Sequence, residues 1–362
     1  MHRPITLIAL VAVVGSLIAM AATPASAALP RDFVGLVTED TLSAPSEYRR
    51  AQFADQASIG VQLLRQTFDW SKIEVSPGTY DFDTYDAFVG DAARAGLSIL
   101  PIVFRAPPFR GGGSSTLAYP PTKYADLGTF GAVLVRRYGP NGTFWSENPD
   151  VPKLPIRAWQ IWNEPNLKAY WPRGPNPKQY TQLLKAAVKP IKAADRGAKI
   201  VTAGMPESRI GVPLKKFIPG MYKAGAKKWF DVLAINPYGH TAGAVVANLA
   251  RTRKIMKQFH DSAPIWGTEI GWSDVGPPGP QRVGSQGQAT QLTNLVKLLD
   301  RNRRRLKLRG FVYFGWRDGQ PYNGKDFWGL HTGLETLSGA PKPAFAAFEN
   351  SARRVSVPVR SP

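Results

Sequence analysis

Short apolar runs alternate with amphipathic helical patterns along most of the chain, and this alternation restricts the available folds more than any other feature. Eight apolar runs follow one another, at residues 33–37, 60–65, 98–104, 156–162, 199–203, 230–236, 264–268 and 309–314. The segments between them are spaced as helices. Residues 122–138 place Tyr124, Leu127, Phe130, Leu134 and Val135 on one face, and residues 177–194 and 286–305 repeat the pattern. Near the end, Pro343 stands where a helix start tolerates proline, ahead of a short helical pattern at 344–351. Strands alternating with helices form parallel sheets. Eight strand–helix units are what a closed barrel requires, and such barrels occupy about 250 residues or more as one domain. The expected fold class is therefore α/β, a (β/α)8 TIM barrel spanning residues 28–352 as a single catalytic domain. A doubly wound open sheet is the rival, but no GxGxxG turn follows the first run. Gly111-Gly112-Gly113 lacks the Lys-Ser/Thr of a phosphate loop and reads as a flexible loop at the barrel top.

Residues 1–27 are expected to be an export signal. His2 and Arg3 are followed by an apolar run from Ile5 to Ala22, and Ala25-Ser26-Ala27 supplies small residues for cleavage. An uncleaved anchor is the alternative, since the run just reaches membrane-spanning length. The expectation is a secreted protein without a membrane span after cleavage, and a frayed tail at 353–362. With no cysteine, disulfides and thiolate metal sites are excluded, and stability must come from the core. The net charge of +20 points to anionic surfaces or polymers. Nucleic acid is the other common reading of such charge, but no zinc finger, heptad repeat or RNA-binding signature accompanies it.

Two of the runs end in glutamate. Ala158-Trp159-Gln160-Ile161-Trp162-Asn163-Glu164-Pro165 carries an apolar strand into Asn-Glu-Pro, where Pro165 biases Glu164 away from helix. Pro264-Ile265-Trp266-Gly267-Thr268-Glu269 does the same later in the chain. By this count Glu164 closes strand four and Glu269 closes strand seven, so both reach the C-terminal mouth, where this fold locates its chemistry. A facing carboxyl pair is what glycosidic cleavage needs: one protonates the leaving oxygen, and the other attacks the anomeric carbon or activates water. Retention needs a gap of about 5–5.5 Å and inversion a wider one. The sequence alone leaves that choice open.

Trp162-Asn163-Glu164-Pro165 followed by Thr268-Glu269 resembles the clan of retaining glycoside hydrolases built on (β/α)8 barrels. The stretch from Arg65 through Asp69 and Glu74 to Pro77-Gly78-Thr79-Tyr80-Asp81-Phe82 and Asp86 is similar to members such as families 39 and 5. The resemblance implies Glu164 as acid/base, with its pKa raised by apolar walls such as Trp162 and Trp171 and by the charge of Glu269. It implies Glu269 as nucleophile, kept ionised by Arg65 at the end of strand two. It further implies that Asn163 binds the sugar 2-hydroxyl, that Tyr238 orients the nucleophile, and that Trp316 forms a platform under the −1 sugar. Phe104-Arg105 departs from the histidine that many family 5 enzymes carry at the end of strand three.

Trp171, Trp272, Tyr322 and Trp328 fall in candidate mouth loops, where aromatic faces suit sugars and also pack loops. Of these, Trp171 and Trp272 are taken as substrate-binding. The histidines number four, at 2, 240, 260 and 331, and no metal or other cofactor is expected. The basic run Arg301, Arg303, Arg304, Arg305, Lys307 and Arg309 is either a solvated helix end or a tether to anionic cell-wall polymer. Expected partners are a carbohydrate substrate and anionic cell-wall or extracellular polysaccharide, with the chain acting as a monomer. A hydrolase on a β-linked glycan leads, with a transglycosylase, a barrel that binds without turnover and a basic structural protein as alternatives.

Overall fold

In the computed structural model, residues 31–112, 118–321 and 324–355 are described. The expected export signal, Gly113, Tyr322 and the chain beyond residue 355 lie outside them. The strands of the main sheet are β1 (Val34–Val37), β2 (Leu63–Asp69), β3 (Ser98–Phe104), β4 (Ala158–Ile161), β5 in two pieces (Lys199–Thr202 and Met205–Pro206), β6 (Leu233–Asn236), β7 (Ile265–Ile270) and β8 (Leu308–Tyr313). Each is followed by a principal helix: α1 (Ser46–Ser58), α2 (Asp83–Arg94), α3 (Tyr124–Tyr138), α4 (Pro177–Ala194), α5 (Leu214–Lys223), α6 (Ala242–Gln258), α7 (Ser285–Leu306) and α8 (Pro343–Val355).

All pairings in this sheet are parallel, and the two ends of its hydrogen-bonded order are the two pieces of β5. The first piece pairs with β4 and the second with β6, so β5 closes the ring. This is the (β/α)8 barrel, and it excludes the open-sheet rival. The break in β5 falls at Ala203-Gly204. A Cβ on Gly204 would stand 2.3 Å from Asn236 Oδ1 and 2.5 Å from Thr268 Oγ1, so only glycine lets these buried side chains approach.

Helix ends follow local chemistry. Asn176 accepts from the N–H groups of Lys178 and Gln179 and so caps α4, with Pro177 in its first turn. Thr241 caps α6 through the N–H of Ala244. Helix α8 runs to Val355, into the segment expected as a frayed tail. Strand β2 is displaced from its expected place: it begins at Leu63 and continues to Asp69, so Arg65 lies inside the strand and does not end it.

The barrel interior changes character from bottom to top. Val37, Leu63, Leu100, Val201, Ala234, Trp266 and Val312 form an apolar plug. Two residues further along their strands, on the same face, stand Arg65, Asn236 and Thr268, with Gln160 beside them on β4, all buried. The mouth is therefore a polar layer resting on an apolar one.

The long β8–α8 loop is fixed by Lys342, whose side chain is 3% exposed and pairs with Asp274 at 2.7 Å and Asp318 at 2.7 Å. Lys342→Met is expected to cost about 3–5 kcal/mol, because both carboxylates lose the cation that neutralises them. Urea unfolding checks this; an unchanged midpoint would show that the loop holds without it.

Candidate active site

Arg65 is the hub. It is 2% exposed and donates from Nε to Gln160 Oε1 at 2.8 Å, from Nη1 to Glu269 Oε1 at 2.7 Å and from Nη2 to Asn163 Oδ1 at 3.0 Å. The second oxygen of Glu269 accepts from the hydroxyl of Tyr238 at 2.7 Å. Glu269 is thus held on both oxygens, by a cation and a neutral donor. Burial, then the charge of Glu269, holds the Tyr238 hydroxyl well above its ordinary pKa, so it stays a donor. Its ring meets Trp328 edge to face at 4.9 Å, and Asn248 donates to its backbone carbonyl at 2.8 Å.

Strict alternation along β7 turns Glu269 away from the interior, because Trp266 and Thr268 already face inward. The register against β8 shifts between Gly267 and Ile270, and this irregularity re-aims Glu269 into the mouth. The β4 end uses a different device. Trp162 and Glu164 both take left-handed backbone, with φ of 72° and 40°. Side chains rarely adopt that region, and it recurs where a site fixes a side chain. Glu164 is therefore not in the extended conformation that Pro165 favours. Its N–H donates to the carbonyl of Gly204 at 3.1 Å, which locks the turn.

Glu164 lies in the opposite electrostatic environment from Glu269. Burial, reinforced by the charge of Glu269, pushes its pKa up to about 8, against the lowering effects of Asn236 and Arg65. Asn236 donates from Nδ2 to Glu164 Oε1 at 2.7 Å, while Thr268 Oγ1 donates to Asn236 Oδ1 at 2.8 Å and fixes the amide's orientation. One carboxyl is thus pushed above the ordinary carboxylate range and its neighbour is paired with a guanidinium.

Glu164, Glu269, Asn163, Arg65 and Tyr238 are brought together, with Arg65 reaching the site from mid-strand. The three tryptophans are not. Trp316 is 1% exposed, donates to Gln52 and packs on Phe345, so it has no face for a sugar. Trp171 is enclosed by Trp162, Tyr124 and Tyr180 and donates to Gln179. Trp272 is buried and donates to the carbonyl of Gly239. These three are corrections: each is core. Among the described residues, Phe314, which rests on the apolar plug just past β8, and Trp328 beside Tyr238 are aromatics left partly exposed on the mouth side. Gln160, Asn236 and Thr268 also serve the site without having been singled out; their signal was a polar residue within an apolar strand.

No family model and no curated protein matches the sequence. Solved structures do. The chain is similar to a family 39 glycoside hydrolase from the gut symbiont Bacteroides cellulosilyticus WH2, at 20% identity and TM-score 0.67 over 90% of this chain and 64% of that one. It is similar to a monomeric β-xylosidase from Caulobacter crescentus CB15, at 17% identity and TM-score 0.64 over 89% and 68%. A glucosidase from Croceicoccus marinus aligns at 16% identity and TM-score 0.68 over 91% and 67%. The fold is the barrel these glycoside hydrolases share, and the chain spans about two thirds of their length.

Proposed function

We propose that the chain is a secreted retaining glycoside hydrolase acting on a β-linked oligo- or polysaccharide. The observation that carries this reading is the asymmetry of two neighbouring carboxyls, Glu164 raised to about 8 and Glu269 bonded to Arg65 and Tyr238. Double displacement needs that division of labour. Glu164 protonates the leaving oxygen while Glu269 attacks the anomeric carbon to form an ester; Glu164 then deprotonates the water that releases the sugar. Arg65 and Asn236 tie the two carboxyls into one cluster at the barrel mouth, the arrangement that double displacement uses. In this reading Asn163 meets the 2-hydroxyl, and Phe314 with Trp328 supplies the apolar faces first assigned to the buried tryptophans. The likeness to the β-xylosidase and glucosidase folds supports the reaction class.

The test is trapping with activated 2-fluoro glycosides of several sugar configurations. A matching sugar is expected to accumulate as an ester on Glu269, located by mass spectrometry of the digested protein. An ester on any other residue would overturn the nucleophile assignment.

The pH profile gives a second check. Glu164 is competent as an acid only while protonated, so kcat/KM is expected to fall above pH about 8. The Asn236 amide stabilises the ionised form. Asn236→Ala is therefore expected to raise the pKa of Glu164 and move the alkaline limb to higher pH. A limb that stays put or moves down would mean that another group sets it.

A further inference from the structure

The hydrogen-bonded ladder between β4 and the first piece of β5 ends at Ile161 and Thr202. Glu164 lies beyond it, on a turn whose backbone is left-handed at Trp162 and again at Glu164. Residues with side chains persist in that region only where their surroundings over-determine it. Ahead of the turn, the Tyr180 hydroxyl donates to the carbonyl of Ile161 at 3.0 Å and accepts from the N–H of Ala203 at 2.6 Å, which joins β4 to β5. Within the turn, Glu164 donates to the carbonyl of Gly204 at 3.1 Å. After it, the chain is held by Asn166.

Asn166 is fully buried. Its side chain donates from Nδ2 to the carbonyl of Pro206 at 2.9 Å and to that of Val212 at 3.1 Å. Its backbone carbonyl accepts from the N–H of Val212 at 2.8 Å. Pro206 ends the second piece of β5, and Val212 stands just ahead of α5. One residue therefore grips both ends of the β5–α5 loop. The approach is close: a Cβ on Gly211 would stand 2.3 Å from the Asn166 carbonyl oxygen and 2.5 Å from Leu167 Cδ2. Leu167 in turn donates its N–H to the carbonyl of Glu164 at 2.9 Å, which completes the turn.

The Oδ1 atom of Asn166 has no partner among the described residues, so this position uses the amide for its donors. A carboxylate of the same shape has no N–H and would face two carbonyls. The groups that face the Glu164 carboxyl come from other elements: Glu269 from β7, Asn236 from β6 and Arg65 from β2, with the Tyr238 hydroxyl after β6. Burial is the larger cause raising Glu164, ahead of the charge of Glu269, and the Asn236 bond acts the other way with less effect. A turn that loosens brings water to the carboxyl and removes the larger cause first.

We propose that Asn166 is a positioning residue for Glu164: by clamping the β5–α5 loop to the turn, it keeps the Glu164 backbone left-handed and its carboxyl against Asn236. Being fully buried, Asn166 acts through Glu164 and not on a substrate. The consequence for turnover rests on the glycosidase reading; the consequence for the Glu164 carboxyl does not.

Two variants part this seam from opposite sides. Asn166→Ala removes the clamp. Gly211→Ala keeps Asn166 and every hydrogen-bonding group but drives the loop off the turn. Ser208→Ala is the control: its hydroxyl accepts from the N–H groups of Ile210 at 3.1 Å and Gly211 at 3.0 Å, inside the same loop and apart from the Asn166 side chain. In a carboxyl titration of the whole protein followed by NMR, Glu164 is expected to titrate as in wild type, at about 8, in Ser208→Ala. In the other two it is expected at about 6 or lower, as water reaches it. On a glycoside with a poor leaving group, kcat/KM is expected to fall about 10²-fold in these two, with the alkaline limb moving down. On an aryl glycoside whose leaving group departs unprotonated, it should stay within about threefold of wild type. Melting curves establish folding; Gly211 is partly exposed, so its variant serves if loss of the Asn166 amide prevents folding. A folded variant in which Glu164 titrates as in wild type would overturn the proposal. So would an equal loss on both glycosides with the limb unmoved. A wild type that cleaves no glycoside would count against the glycosidase reading alone, and the titration would still decide the clamp.

Discussion

Glu269→Gly is expected to lower kcat by at least about 10⁴-fold on any glycoside the protein cleaves, since it removes the carboxylate proposed to attack the anomeric carbon. The loss should fall on turnover more than on binding, because Asn163 and the apolar faces of Phe314 and Trp328 remain. The variant leaves the Arg65 guanidinium with Gln160 and Asn163 only, a buried cation without its counter-ion. Some loss of stability is therefore expected. Glu269→Gln separates the two effects: its amide oxygen can still accept from Arg65, while its nucleophilicity is gone. Both variants should be inactive, and the glutamine form should melt closer to wild type. Azide or formate entering the space vacated in the glycine variant should restore turnover and give product of inverted anomeric configuration. Glu269→Gln also makes a prediction away from itself. The charge of Glu269 is the second cause raising Glu164, after burial. Removing it should bring the Glu164 pKa down from about 8, visible in a carboxyl titration followed by NMR. Wild-type turnover in either variant, or a Glu164 titration that does not move, would remove Glu269 from the site.

The strand–helix alternation was legible because burying both faces of a parallel sheet forces continuous apolar runs. The two glutamates were legible because each follows such a run directly. Less legible was how they turn inward. At Glu269 a register shift overrides the two-residue alternation, and at Glu164 a left-handed backbone overrides the preference imposed by Pro165. Both depend on what the neighbouring strand offers, which no local pattern encodes. The sequence places Arg65 at the end of its strand. The strand in fact continues, and the charge is tolerated because Gln160, Asn163 and Glu269 meet it inside the barrel. The tryptophans failed for a related reason. An aromatic after a barrel strand looks the same in sequence whether its face meets a sugar or its N–H meets a backbone carbonyl, as at Trp272. Asn236 could have been found, since a lone amide in Leu233–Asn236 must satisfy itself in the interior.

Glu164→Ala is expected to produce a loss that depends on the substrate, and this dependence identifies an acid/base. On glycosides with poor leaving groups the departing oxygen needs its proton, and kcat/KM should fall about 10²–10⁴-fold. On aryl glycosides whose leaving group departs unprotonated, formation of the ester on Glu269 should be nearly unimpaired. Release by water then becomes slow, because no base remains to activate it, so a burst of aglycone followed by a slow steady state is expected. Azide needs no base and should speed the second step, giving a glycosyl azide of retained configuration. That product differs in configuration from the one expected with Glu269→Gly, so the pair of rescues assigns the two roles without reference to any relative. The alkaline limb near pH 8 should also disappear, since the group that titrates there is gone. The substitution is mild for the fold: the space vacated by the carboxyl can admit a water to accept from the Asn236 amide, and Thr268 still holds the other end. A loss equal across good and poor leaving groups, with the limb unchanged, would make Glu164 a structural carboxyl and leave the leaving oxygen without a proton donor in this barrel.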